Sequence, residues 1–337
     1  MPKRVGNLMP RIASLPNLHE AFLRAAKGKA GKHAVRAFRA SLDDNIREMS
    51  RQLLDGSFRF GQYHYFTVFD PKQRTICAAS FPDRVAFHAM MRICHPVFDD
   101  YQTNDSYASR KGRGQYSALD RTHRLARRFT WYAKLDMQKY FDSISHAVLL
   151  SQLDRLFKDR TLMGYFRDLI CGYEVEEGRG LPIGNLTSQY FANHYLAVAD
   201  HYARERLRIP AQVRYMDDIL FFDSDKNRMM GNIRNYCRYV GEELLLDVHP
   251  PVVGRTSAGI PFLGYVVHPG GLRLNGRSRK RLVHKMAALS LALQYGIVGE
   301  RAYASRATCL FAFAGKADIG MLKRKMYHTA GLYPQGL

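Results

Sequence analysis

The sequence predicts an α+β fold, and three observations predict it. Helical periodicity dominates the first 60 residues; Thr130 to Asp136 and Val213 to Phe222 carry strand patterns; and a basic amphipathic helix begins near Ser278. With 337 residues, 46% of them hydrophobic, the chain is long enough for two or three packed units with true cores.

Each element follows from its local pattern. Leu18, Phe22 and Ala25, then Ile46, Met49 and Leu53, recur at helical spacing, and Gly56 closes the second run. From Tyr63 to Ala79, aromatic and β-branched residues surround Asp70-Pro71, which predicts a β-hairpin carrying Lys72 and Arg74. Asp83 to Phe98 is helical again, and Asn104 to Gln115 is a glycine-rich basic loop. Thr130 to Asp136 sets Trp131, Ala133 and Leu135 against Tyr132, Lys134 and Asp136, so Asp136 falls at the end of a strand. Ser145 to Phe157 reads as a helix with Ser143 or Ser145 as its cap, followed by a polar, glycine-rich stretch over 172–184. One long helix is expected over Ser188 to Leu207, ended by Pro210, then the hairpin, then a helix from Lys226 to Glu243 and strand signals over Gly259 to Val267. On the last helix Leu282, Met286, Leu289 and Leu293 share one face and Arg277, Arg281 and Lys285 another. There is no internal repeat and no low-complexity tract.

Charge narrows the partner. Lys and Arg number 51 against 30 Asp and Glu, a net charge of +21, and the excess is segregated. Residues 1–130 hold 23 basic and 11 acidic side chains, residues 271–337 hold 12 and 2, and the middle holds 16 and 17. Two basic ends around a neutral, carboxylate-bearing centre imply a nucleic-acid cleft with a metal site at its middle. No apolar run approaches the roughly 18 residues of a membrane span and there is no signal-peptide core, so no membrane partner and a cytoplasmic location are expected. Cys77, Cys94, Cys171, Cys237 and Cys309 are scattered, which argues against a disulfide framework or a zinc site and predicts buried small apolar residues.

The chemistry centres on Tyr215-Met216-Asp217-Asp218, two adjacent carboxylates at a hairpin tip between apolar runs. Carboxylate oxygens suit hard divalent cations, and Asp136 offers a third. Asp136 and Asp217 lie 81 positions apart, so only a tertiary fold brings them together. Two cations roughly 3.5 to 4 Å apart are what phosphoryl transfer to a growing strand requires.

Five motifs in order resemble those of the reverse transcriptases, over roughly residues 50 to 315. Ser106-Tyr107-Ala108-Ser109-Arg110-Lys111-Gly112 resembles a fingers motif. Lys134-Leu135-Asp136 with Lys139-Tyr140-Phe141-Asp142-Ser143-Ile144 is similar to motif A, and Gly180-Leu181-Pro182-Ile183-Gly184-Asn185-Leu186-Thr187-Ser188-Gln189 to motif B. Tyr215 to Asp218 is similar to motif C, and Phe262-Leu263-Gly264-Tyr265 to the primer grip. The resemblance implies a right-hand polymerase: an amino-terminal extension and fingers over 1–129, a palm with an antiparallel sheet and ferredoxin-like core over 130–268 that includes a fingers insertion around 160–190, and a short helical thumb over 269–337.

It implies roles as well. Asp136, Asp217 and Asp218 would be catalytic and, with the backbone of Met137, would hold two Mg2+ ions, for which Mn2+ can substitute. Lys72, Arg74, Phe141, Ile183, Gly184 and Gln189 would contact the nucleotide, with Phe141 as a gate against the 2'-hydroxyl and Gly184 allowing the backbone close to the nascent pair. Arg84, Arg110, Arg113, Tyr215 and Gly264 would contact template or primer. The partners implied are template RNA, its cDNA and deoxynucleoside triphosphates.

Two departures refine the resemblance. Many relatives carry Gln-Gly and Ser-Pro in motif B, where this chain has Ile183-Gly184 and Ser188-Gln189. That form resembles the reverse transcriptases of diversity-generating retroelements, which copy a structured RNA with errors at adenines and work with a small basic accessory protein. The second lies at His249-Pro250-Pro251-Val252-Val253-Gly254-Arg255, where relatives often have a lysine-rich stretch that supplies a general acid; the proton donor here stays open. From the 72 residues after Tyr265 a thumb without a nuclease domain is expected. The alternatives are an antiphage-defence or retron enzyme that makes cDNA from its own noncoding RNA, and a catalytically vestigial RNA-binding scaffold.

Overall fold

The computed structural model describes residues 4–69 and 73–317. Four helices come first: α1 (Met9–Ile12), α2 (Leu15–Ala26), α3 (His33–Ala40) and α4 (Leu42–Asp55). Their helical spacing is used as expected, with Leu18, Phe22 and Ala25 of α2 and Ile46, Met49 and Leu53 of α4 buried. Gly56 stops α4 in the left-handed region, at φ 77°. The hairpin follows as β1 (His64–Phe69) and β2 (Gln73–Ala78), antiparallel from His64 opposite Ala78 to Phe69 opposite Gln73. Its expected turn at Asp70-Pro71, and Lys72, lie outside the described residues.

Ser80 caps α5 (Phe81–Tyr101) by accepting from the Asp83 N–H. Next come α6 (Gln115–Arg128), β3 (Trp131–Leu135), the single turn α7 (Tyr140–Ser143), α8 (His146–Asp154) and α9 (Arg160–Cys171). Ser145, rather than Ser143, caps α8. The one long helix expected over Ser188 to Leu207 is three pieces: α10 (Leu186–Tyr195), α11 (Ala197–His201) and a π-helical turn over Tyr202–Arg206. Spacing alone does not reveal the wider turn, at which Tyr202 stacks on Tyr239 with ring centroids 4.0 Å apart and His201 contacts the Tyr101 carbonyl oxygen at 2.8 Å.

The rest of the chain forms β4 (Ala211–Tyr215), β5 (Asp218–Asp223), α12 (Lys226–Leu244), β6 (Val252–Arg255), β7 (Ile260–Phe262), β8 (Tyr265–His268), β9 (Gly271–Leu274), α13 (Gly276–Gln294) and α14 (Glu300–Ala314). Of these, β6 and β9 have no counterpart in the sequence reading. β6 follows Pro250-Pro251 and contains Gly254, a poor strand signature, yet a Cβ at Gly254 would sit 2.9 Å from the Tyr132 ring, so glycine is what lets this edge strand pair.

The chain divides into two compact units, each built from three segments. The first is Met1–Arg110, Asp136–Arg208 and Arg234–Pro250; the second is Lys111–Leu135, Ile209–Ile233 and Pro251–Leu337. In the first, α2 and α10 pack on α5, and Phe98, Phe157, Phe166 and Phe191 form a ring chain with successive centroids 5.4, 5.4 and 5.1 Å apart. In the second, an antiparallel sheet runs in the order β4-β5-β3-β6, and a three-stranded one runs β7-β8-β9. Trp131, the one tryptophan of the chain, starts β3 with Lys226 Nζ and Arg255 Cζ at 5.0 and 5.2 Å from its ring centroid. α13 buries Leu282, Met286 and Leu289, as its apolar face requires.

All five cysteines are free. Cys77 and Cys94 are buried and Cys237 is half-buried, but Cys171 and Cys309 are exposed, against the expectation of burial. Among the described residues no helix is long and apolar enough to cross a membrane.

The loop before α10 is fastened to β2. The Cys77 N–H donates to the Ile183 carbonyl at 2.8 Å, and Gly184 lies at φ 114° where a Cβ would meet Ile76 Cγ2 at 2.8 Å. Gly184→Ala is therefore expected to destabilise the protein by about 1–3 kcal/mol through overpacking and backbone strain. A denaturant midpoint equal to that of the wild type would refute this.

Candidate active site

The carboxylate hairpin is set by strand register. β4 and β5 pair from Ala211 opposite Phe222 to Tyr215 opposite Asp218, which leaves Met216 and Asp217 as a two-residue turn. Met216 takes the left-handed conformation such a turn needs, at φ 55°. Arg214, fully buried on β4, donates from Nη1 to the Met216 carbonyl at 3.1 Å, so a buried guanidinium holds the turn from beneath. Asp218 begins β5 with its side chain 27% exposed, and Lys134 Nζ lies 2.8 Å from its Oδ1. β3 pairs with β5 as far as Leu135 opposite Ile219, and the residue after Leu135 is Asp136.

Asp136 is exposed, and its carbonyl accepts from the His249 N–H at 2.9 Å. Met137 bridges Val248 antiparallel, and the Gln138 N–H donates to Asp247 at 2.8 Å, so residues 247–249 run along residues 136–138. His249 is itself exposed. Lys139, at φ 43°, turns the chain into α7, where Phe141 is half-buried and its carbonyl accepts from the Leu181 N–H at 2.8 Å. Oxygen donors of this type suit a hard divalent cation. Among the described residues, no three His, Cys, Asp or Glu side chains are gathered into a ligand cluster.

A second feature lies within the first unit. A cavity of about 320 Å³ is lined by Lys29, Phe66, Ile76, Arg84, His88 and Gln189, among others, with Gly184 and Asn185 at its wall. It brings together Arg84, expected at the template, with Gly184 and Gln189, expected at the nucleotide. Burial lowers the Lys29 pKa, helped by Arg84 and Lys32; burial lowers that of Arg84; and burial, then Arg84, Arg24 and Lys29, lowers that of His88. Lys29 and Arg84 are like charges in one lining that holds no carboxylate among the described residues, an arrangement that an anion stabilises. The close approach that Gly184 permits in this structure is to Ile76 and Cys77 of β2.

The remaining expected residues lie on other elements. Arg74 is exposed on β2 opposite Val68. Arg110 is 8% exposed and directs its guanidinium inward, to Asp99 Oδ1 at 2.6 Å and to the Thr103 and Ser106 carbonyls, a loop-bracing role rather than one that presents a cation to a strand. Arg113 is half-buried in the glycine-rich loop. Leu263 and Gly264, at φ 48° and 87°, form the two-residue turn between β7 and β8. A Cβ at Gly264 would sit 2.9 Å from Ser278 Oγ and 3.2 Å from the Phe313 ring, and Gln115 donates to the Leu263 carbonyl at 2.8 Å.

The comparisons with known proteins decide the family. The profile described as "Reverse transcriptase (RNA-dependent DNA polymerase)" matches residues 70–266, more than half of the chain. The chain belongs to the reverse transcriptase family. A COX1/OXI3 intron 1 protein of Saccharomyces cerevisiae is 24% identical over 173 residues, 49% of this chain and 21% of that protein. Protein YkfC of Escherichia coli is 23% identical over 247 residues, covering 60% of this chain and 65% of that one. Nuclear intron maturase 2 of Arabidopsis thaliana is 21% identical over 155 residues, 40% of this chain and 21% of that protein. The chain thus spans less than two thirds of each of these relatives. In fold it is similar to Candida albicans telomerase, solved in complex with a fragment of telomeric RNA, at TM-score 0.50 and 13% identity over 84% of this chain and 58% of that one.

In this reverse transcriptase the sequence reading missed Lys29, Phe66 and His88 of the cavity, and Arg214 and Lys134 beneath and beside the hairpin. Arg214 carried one usable signal, a lone charge in an apolar strand next to the aspartate pair. The cationic cavity generates a prediction with a fixed sign. Because the folded-state pKa of His88 is lowered, the stability that the neutral ring contributes is present above its ordinary value of about 6.5 and is lost as pH falls through the lowered value. Arg84→Gln is expected to raise the His88 pKa in an NMR titration of its ring, and an unmoved titration would remove Arg84 as a cause.

Proposed function

We propose that this reverse transcriptase extends a DNA 3'-hydroxyl on an RNA template, with Asp136, Asp217 and Asp218 as its catalytic carboxylates. One observation carries the reading: in a chain of this family, β3 runs straight into Asp136 and pairs with β5, which begins at Asp218. When bound, two divalent cations, Mg2+ or Mn2+, supply Lewis acidity for the attacking hydroxyl and the leaving pyrophosphate. The chain's own residues do the rest. The three aspartates and the Met137 carbonyl offer hard oxygen donors, and the turn held by Arg214 orients Asp217 and Asp218. Phe141 supplies a flat face under the sugar, where a 2'-hydroxyl would collide. Arg74 and Lys72 offer cations to the triphosphate. Lys29 and Arg84 offer cations, Phe66 an aromatic face and His88 a neutral polar ring to a single strand of template, a pairing of charge and ring that suits such strands.

The motif B form supports a finer role: mutagenic copying of a structured RNA in a diversity-generating retroelement, with a small basic accessory protein. Ile183 stands where many relatives hold an amide, and an apolar side chain there removes a hydrogen-bonding group near the incoming nucleotide, which relaxes selection.

Primer extension with purified protein, an RNA template and Mg2+ is expected to yield cDNA that disappears in Asp217→Ala, Asp218→Ala. In the same assay Lys29→Ala, Arg84→Ala should raise the KM for template-primer with kcat little changed. Product persisting in the aspartate variant would sink the catalytic assignment. For the finer role, Ile183→Gln is expected to reduce misincorporation opposite template adenine several-fold, a factor of about 1 kcal/mol; unchanged misincorporation would count against it.

A further inference from the structure

Lys134 carries no role in the proposed reaction, yet its ammonium forms an ion pair with Asp218. It lies on β3 opposite Leu220 of β5 and Val252 of β6, so its backbone position is fixed from both sides. The side chain is 27% exposed, little for a lysine, whose ammonium ordinarily reaches for water. Nζ lies 2.8 Å from Asp218 Oδ1 and 3.5 Å from the Pro261 carbonyl. Pro261 is on β7, an edge strand of the three-stranded sheet, so one ammonium joins the four-stranded sheet, the aspartate and the neighbouring sheet.

Three physical consequences follow. Adjacent carboxylates at Asp217 and Asp218 repel each other, and a monovalent cation at one of them relieves part of that repulsion. The same ammonium sits at one of the two Asp218 oxygens on which a divalent cation would draw. An ammonium beside a bound divalent cation is a like charge, so filling the site must either displace Lys134 or tolerate it.

We infer that Lys134 is the resident counter-ion of Asp218 and a positioning residue that competes with the divalent cation, setting how tightly the hairpin binds metal. The inference rests on the metal role of Asp218 in the proposed function. Arginine at position 134 keeps the charge, whereas methionine keeps the stem and removes it.

The test is Mn2+ binding to the full chain without nucleic acid or nucleotide, read from the electron paramagnetic resonance signal of free Mn2+. Lys134→Met and Lys134→Gln, checked for folding by circular dichroism, are expected to bind Mn2+ about three- to tenfold more tightly than wild type, the scale of one partly buried ion pair. Lys134→Arg should stay near wild type, and Lys134→Met combined with Asp218→Asn should bind no more tightly than Asp218→Asn alone. If Asp218→Asn weakens binding while neither Lys134→Met nor Lys134→Gln tightens it, the inference is overturned and the metal assignment stands. If wild type and Asp218→Asn bind Mn2+ equally, the metal assignment falls and the inference with it.

Discussion

The antiparallel pairing of β3 with β5 is the constraint on which the rest of this protein depends. It joins residues far apart in the chain, and because side chains alternate along a strand, a slip of one residue would reverse every face. Lys134 would leave Asp218, and Leu135, fully buried opposite Ile219, would leave the core. The register is held from several directions. β6 pairs with β3 on its far side, β4 closes on β5 through a two-residue turn, and the buried Arg214 fixes that turn by its carbonyl. A turn this short leaves the aspartates few alternative positions, which is what a site needs if its charges are to be in place before substrate arrives.

Much of this was legible because two signals are strong in single sequences. Helical spacing located α2, α4, α5, α12 and α13, and the alternation around Trp131 to Leu135 with the apolar runs flanking Asp217 located β3, β4 and β5. What escaped depends on contacts between distant residues. β6 hides behind prolines and a glycine, and the glycine is there because the Tyr132 ring occupies its side-chain space. The π turn over Tyr202–Arg206 coincides with a ring stacked across the fold, which periodicity cannot register. No pattern in the sequence links Lys29 with His88, 59 positions apart, and it is the cavity that brings them together. Arg110 reads as a basic loop residue, while its environment makes it a brace for residues 99–106.

The two units divide the electrostatic work. The first carries Lys29 and Arg84 around a cavity with no acid in its lining among the described residues, and burial pushes their pKa values down. The second carries adjacent carboxylates with an ammonium already at one of them. A polyanion would relieve the first strain and a cation the second.

The tryptophan at the start of β3 has a practical consequence. Since Trp131 is alone of its kind, selective excitation of indole in this protein reports from one address, next to two cations whose charge perturbs the ring's excited state. Fraying of β3 from β5 and β6 would move Arg255 and solvent relative to that ring. Intrinsic emission is therefore a label-free gauge of the strand that leads into Asp136, readable during titration with metal, nucleotide or RNA.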